Sequence, residues 1–179
     1  LAKDLMKRFG SFAGVISAPI ERLSEINGVG DAAITALKIA RASALALQRE
    51  EVLEKPVLSS WRALLAYCRS AMAHEFNEHF RILFLDKKNT LIADEVQQKG
   101  TVDETPIYPR EVIKRALELG ATAIILVHNH PGGDPSPSRE DIAMTREVAE
   151  AAGKLGIIIH DHLIIAKRGH ASFKTLGLL

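Results

Sequence analysis

The sequence predicts an α/β fold, a mixed β-sheet flanked by helices, behind a small all-α N-terminal domain. Three observations carry this expectation. Residues 1–50 are rich in Ala and Leu at helical spacing. The stretch Glu50-Glu51-Val52-Leu53-Glu54-Lys55-Pro56 is charged and ends in proline, which marks a linker. Beyond it, strand-like runs at 78–86, 90–96, 123–127 and 157–165 are interspersed with helical patterns. The expected division is a helical domain at 1–52, a linker at 53–58 and an α/β domain at 59–179.

At 179 residues the chain is long enough for a substantial core. Its 47% apolar and 25% charged content is that of a soluble globular protein. A net charge of +1 excludes bulk attraction to polyanions, so any nucleic-acid contact must be local. The single cysteine, Cys68, excludes an intrachain disulfide and fits a cytoplasmic location. No apolar run approaches the roughly 20 residues of a membrane span. No signal peptide is evident, and because Leu1 lies inside a helical pattern, the natural start is expected upstream.

In the N-terminal part, Phe9-Gly10-Ser11-Phe12 reads as a helix end and turn, and Pro19 suits the opening of a second helix. Leu23-Ser24-Glu25-Ile26-Asn27-Gly28-Val29-Gly30-Asp31 reads as a short helix stopped at Asn27-Gly28, a tight turn allowed by Gly30, and Asp31 capping a long helix to about Gln48. This apolar-Gly-apolar-Gly hairpin resembles a helix-hairpin-helix, in which backbone N–H groups hold a DNA phosphate without reading sequence. The resemblance implies DNA contacts at Gly28, Val29 and Gly30, within residues 23–48. Asp31 would repel phosphate there, and Lys38 and Arg41 would compensate. A plain αα corner is the competing reading.

In the second part, Ser59-Ser60 should cap a helix carrying Trp61, Leu64, Leu65, Cys68 and Met72, with Trp61 and Cys68 packed in the core. The runs at 78–86 and 90–96, joined by Lys87-Lys88-Asn89, form an expected antiparallel hairpin. Residues 100–106 read as loop, and Tyr108-Pro109-Arg110-Glu111 opens a helix that ends at Gly120. Gly153 and Gly156 should break the helix that begins at Ser138.

The buried strand Ala123-Ile124-Ile125-Leu126-Val127 runs into His128-Asn129-His130-Pro131 and a Pro/Gly-rich turn. His128 and His130 leave the strand on one side, because strand side chains alternate. Ser138-Arg139-Glu140-Asp141 opens a helix, placing Asp141 in its first turn, aimed back at the loop. Two imidazoles and a carboxylate suit Zn²⁺ with a fourth position left for water. Taken alone, Ser-x-x-Asp is equally a capping signature. His160-Asp161-His162 is a second cluster; its two histidines should share a strand face and serve a structural or supporting role.

The joint spacing resembles the JAMM motif of MPN domains, His-x-His-Pro, six residues, Ser-x-x-Asp, met here at His128, His130, Pro131, Ser138 and Asp141. Together with Glu78-His79-Phe80, Gly100-Thr101, Tyr108-Pro109-Arg110-Glu111-Val112, Pro137-Ser138, Asp141-Ile142 and Asp161-His162, it is similar to the bacterial RadC family across essentially the whole chain. One departure is Gly132, where that family usually has Ser. The resemblance implies a JAMM/MPN, cytidine-deaminase-like layout and a glutamate base at the junction of the first helix and a core strand. Glu78 sits at that junction, with Glu75 the main competitor and Glu95 and Glu104 weaker ones. The implied function is a zinc-dependent peptide or isopeptide hydrolase, DNA-associated through its hairpin, with His128, His130 and Asp141 as ligands, Glu78 as base and Ser138 as oxyanion donor. The alternative is a DNA-associated docking protein in repair or recombination, without turnover. A nuclease is less favoured, since phosphodiester cleavage often uses two metals.

Overall fold

The computed structural model describes residues 1–53, 56–99 and 107–179. The chain forms two compact units, Leu1–Glu50 and Glu51–Leu179. No helix among the described residues is long and apolar enough to cross a membrane.

The first unit holds α1 (Ala2–Phe9), α2 (Phe12–Ser17), α3 (Ile20–Ser24) and most of α4 (Asp31–Leu53), which runs past the expected end at Gln48. Gly10 closes α1 in the left-handed conformation, and Ser11 caps α2 by accepting the Gly14 N–H. Val15, Ala18, Leu23, Val29 and Ile34 form the core of this unit. Gly28, at φ 85°, makes the turn between α3 and α4.

The second unit is a five-stranded sheet in the order β2-β1-β3-β4-β5. Its elements are α5 (Trp61–Met72), β1 (His79–Leu85), β2 (Leu91–Lys99), α6 (Pro109–Glu118), β3 (Ala123–Asn129), α7 (Arg139–Lys154), β4 (Ile158–Ala166) and β5 (Gly169–Ser172). β1 pairs antiparallel with β2 and β3, β3 pairs parallel with β4, and β4 pairs antiparallel with β5. A parallel pair needs a crossover, and α7 supplies it. The sheet is therefore mixed and flanked by helices, as the pattern of runs predicts.

Alternation along the strands builds the layers. Phe80, Ile82 and Phe84 of β1 and Ile124 and Leu126 of β3 pack with Val112, Ile113 and Ala116 of α6 and Val148 and Ala152 of α7. Leu83, Leu85, Ile125 and Val127 point the other way and are equally buried, on the face where α5 packs against β3 and β4. Burial on both faces explains why β3 reads as an unbroken apolar run.

Several local expectations need correction. Ser60 stands at the N-cap of α5, but neither serine caps the helix with its side chain; both hydroxyls donate to the Pro56 carbonyl. Gly153 does not break α7, which ends after Lys154; the turn is made at Gly156, φ 72°. His160 and His162 do not share a face. Ile159 pairs with Ile124 and His162 with Leu126, neighbours on one face of β3, so three residues of β4 span two of β3. The extra residue is a β-bulge at His160, which bonds the Asn89 side chain instead. The expected loop at 100–106, including Glu104, lies outside the described residues.

Where β1 begins and β3 ends, one side chain joins two segments. Asn129, 1% exposed, accepts the His79 N–H at 2.8 Å and donates to the Asn77 carbonyl at 3.0 Å. It thereby secures the backbone on both sides of Glu78. Asn129→Ala leaves the His79 N–H and the Asn77 carbonyl without this partner in a part-buried place, so it should destabilise the protein by about 1 kcal/mol. Urea denaturation of the full chain measures this; an unchanged midpoint would show that the two bonds contribute nothing.

Candidate metal centre

The site lies at the C-terminal end of β3, on the face covered by α7. In sheets with parallel strands this is where ligands commonly bind, outside the carboxyl ends of the strands. His128 is still within β3 and 1% exposed. His130 follows it, its backbone N–H bonded to the Ile165 carbonyl at the end of β4. The loop then turns sharply: Gly133 adopts φ 91° and donates to the His130 carbonyl, and Asp134 takes both the N–H and the hydroxyl of Ser136. Those bonds hold the exposed Asp134 carboxylate below its usual range.

Ser138 caps α7. Its hydroxyl accepts the Asp141 N–H at 3.0 Å, and the Asp141 carboxylate takes the Ser138 N–H at 2.8 Å, a full capping box. The same carboxylate faces the histidines. Its Oδ1 lies 3.1 Å from His128 Nε2, and its Oδ2 lies 3.4 Å from His130 Nε2. The two Nε2 atoms are 3.0 Å apart. Donors around one zinc at ordinary bond lengths stand about 3.3 Å from one another in a tetrahedron. His128, His130 and Asp141 thus form a group able to hold a metal ion.

The donor chemistry fits as well. His130 Nδ1 lies 2.9 Å from the Asp134 carbonyl, which can only accept, so that nitrogen carries hydrogen and Nε2 of the neutral ring is a bare lone pair. Burial raises the Asp141 carboxyl, but the facing rings of His128 and His130 outweigh burial and hold it well below the carboxylate range. The facing Asp141 carboxylate raises His130, against its partial burial. Three mutually facing donor atoms of this kind suit a cation among them.

Glu78 stands just before β1, half-buried. The β1–β3 register pairs Phe80, two residues after Glu78, with His128. The Glu78 charge contributes to the raised His130. Glu95 is instead held by Arg115, whose Nη2 lies 2.6 Å from its Oε1. Cys68 is buried, and burial pushes its thiol up to about 12, which removes it as a nucleophile. At Gly132 an added Cβ would meet nothing within 4 Å, so the absent serine leaves room rather than altering the turn.

Of the residues read as DNA contacts, Gly28 and Gly30 are exposed, whereas Val29 is buried in the helical core. Lys38 is turned inward, its ammonium donating to the Ile16 carbonyl at 3.3 Å and to that of Ala18. Two residues of the site escaped sequence reasoning. Asn129 sits inside the His-x-His motif with no pattern to announce its bridging role. Thr145, fully buried, contacts both the Asp141 carbonyl and His162; its one signal is the four-residue step from Asp141, a single helical turn.

Comparison with known proteins places the chain in a family. The RadC-like JAB domain family matches residues 58–178. A "UPF0758 protein" of Rhodobacter capsulatus is 59% identical over 179 residues, which covers 100% of this chain and 84% of the relative. With most of its length matched by the family and a relative this similar from end to end, the chain belongs to the RadC family.

Proposed function

We propose that the chain is a zinc-dependent amide hydrolase acting on peptide or isopeptide bonds. The observation that carries this is the convergence of His128 Nε2, His130 Nε2 and the Asp141 carboxylate, all within 4.8 Å of one another. These three residues would hold the ion, which when bound makes water acidic enough to attack at neutral pH and polarises the scissile carbonyl. Glu78 takes the proton of the attacking water on its carboxylate and returns it to the departing amine. Ser138 stabilises the oxyanion: its oxygen accepts the Asp141 N–H, which leaves its own O–H to donate. Asn129 keeps Glu78 at this edge by bonding the backbone on either side of it.

Two experiments test the reading. Metal analysis of the purified protein should find zinc at one per chain, and alanine at His128, His130 or Asp141 should each lower occupancy sharply while His160→Ala does not. Loss at His160 with retention at His128 would mean that the wrong histidines have been assigned. Glu78→Gln preserves size and hydrogen bonding without proton acceptance. It should keep zinc and lose hydrolysis of a peptide and isopeptide library by at least about 100-fold. Full turnover in that variant would transfer the role to Glu75.

A second reading, a DNA-associated protein, is favoured by one feature, the open backbone at the hairpin. Gly30 is exposed, and an added Cβ would meet nothing within 4 Å. Gly30→Val adds bulk there in open space. If the hairpin holds phosphate through its N–H groups, this change should weaken a sequence-independent, salt-sensitive affinity of the full chain for duplex DNA. Unaltered binding would make the hairpin an αα corner, and no binding at low salt would remove nucleic acid from the account.

A further inference from the structure

His128 is buried among groups that determine where its hydrogen must lie. Its Nδ1 is 2.7 Å from His162 Nε2. The other nitrogen of that ring, His162 Nδ1, is 2.6 Å from Thr145 Oγ1. The Thr145 hydroxyl is in turn 2.6 Å from the backbone carbonyl of Asp141, one turn earlier in α7. A carbonyl can only accept, and a hydroxyl has one hydrogen, so Thr145 spends its hydrogen on Asp141. Thr145 Oγ1 must then accept from His162 Nδ1–H. His162, 0% exposed, is neutral in so dry a place, so its Nε2 is an acceptor. It can be satisfied only by a hydrogen on His128 Nδ1. That leaves His128 Nε2, the atom facing Asp141 and His130, as a lone pair.

We propose that Thr145 and His162 are positioning residues that hold His128 in the Nδ1–H tautomer, so that its Nε2 is presented bare toward a metal. The chain of bonds starts at the carbonyl of one proposed ligand, Asp141, and ends on the ring of another, His128. It thus ties the tautomer of the strand ligand to the helix that carries the acid ligand. The ring of His162 is itself fixed in plane: Phe173 stacks on it at 4.5 Å and Phe80 meets it edge-on at 5.8 Å. Its backbone is fixed too, because Asp161 accepts the His162 N–H and the Lys174 N–H on one oxygen and the Ser172 hydroxyl on the other. The β-bulge at His160 is what brings His162 to the α7 face. The cluster His160-Asp161-His162 therefore divides into an Asn89 contact, a backbone clamp and a tautomer-setting ring. His162 Nε2 is occupied with His128, which argues against a second metal there.

The inference rests on the metal reading of His128, and its test separates the two. Metal-free, ¹⁵N-labelled full-length protein is observed at neutral pH by long-range ¹H–¹⁵N correlation, which reports the tautomer of each ring. His128 should carry its hydrogen on Nδ1. Thr145→Val removes the terminal acceptor at similar size and should shift His128 toward the other tautomer. Zinc affinity, measured by competition with a chromophoric chelator, should fall about 10–100-fold in that variant. Thr145→Ser keeps the hydroxyl and should restore both readouts. Hydrogen on Nε2 of His128 in the wild-type protein overturns the proposal, whatever the variants do. So does a Thr145→Val protein with unchanged tautomer and affinity, or a Thr145→Ser protein as impaired as Thr145→Val. A wild-type protein with the expected tautomer but no zinc affinity would defeat the hydrolase reading and leave the direction of the hydrogen bonds standing.

Discussion

The first turn of α7 is the constraint on which the site depends. Asp141 is bound there by its own backbone N–H to the Ser138 hydroxyl, and its carboxylate returns to the Ser138 N–H. Such a capping box is a local device, worth about 1 kcal/mol to a helix. Here it also aims a carboxylate. With the side chain tied back over the helix end, its oxygens face the end of β3 and meet both histidines. The positive end of the helix favours the same ionised carboxylate. Helix initiation and construction of the candidate metal centre are a single arrangement, so capping and metal ligation would not compete for Asp141.

The second half of the arrangement is the sheet. β3 is buried along its length between α5 on one side and α6 and α7 on the other. A strand so enclosed cannot slip by one residue, because every side chain would exchange faces. His128 therefore keeps the parity of Ile124 and Leu126 and emerges on the α7 face. The parallel partner β4 and the antiparallel partner β1 end and begin at the same edge, so His162 of β4 reaches His128 there, and Asn129 of β3 bonds the start of β1.

What was legible in the sequence follows from this. His128, His130, Ser138 and Asp141 lie within fourteen residues, and their geometry follows from strand alternation and helix initiation alone. The strands of the sheet and their helical flanks were legible for the same reason, since hydrophobic periodicity is local. The partners of these residues were not. Asn129 reaches fifty residues back to His79, and Thr145 meets His162 seventeen residues on, with nothing in either stretch to announce the contact. The bulge at His160 was illegible too. Period-two alternation placed His160 and His162 on one face, and a single extra residue in the register separated them.

Perturbed ionisation alone would have pointed elsewhere. On the sheet's hairpin, Arg81 donates to Asp94 at 2.6 Å, Asp94 also takes the Tyr67 hydroxyl, and burial raises both Tyr67 and the neighbouring Cys68. There Arg81 and Tyr67 both bond Asp94, whose side chain is 1% exposed, so the cluster is a buried ion pair of the fold, with Arg81 Nε left without a partner. The candidate metal centre differs in the facing donors it leaves unmatched. His128 and His130 each spend Nδ1 on an acceptor and turn a second nitrogen toward a carboxylate and toward each other. Exposure also rises across the site, from 1% at His128 through 13% at Asp141 to 21% at His130. The site is therefore closed behind His128 and open beside His130, the side on which Glu78 stands.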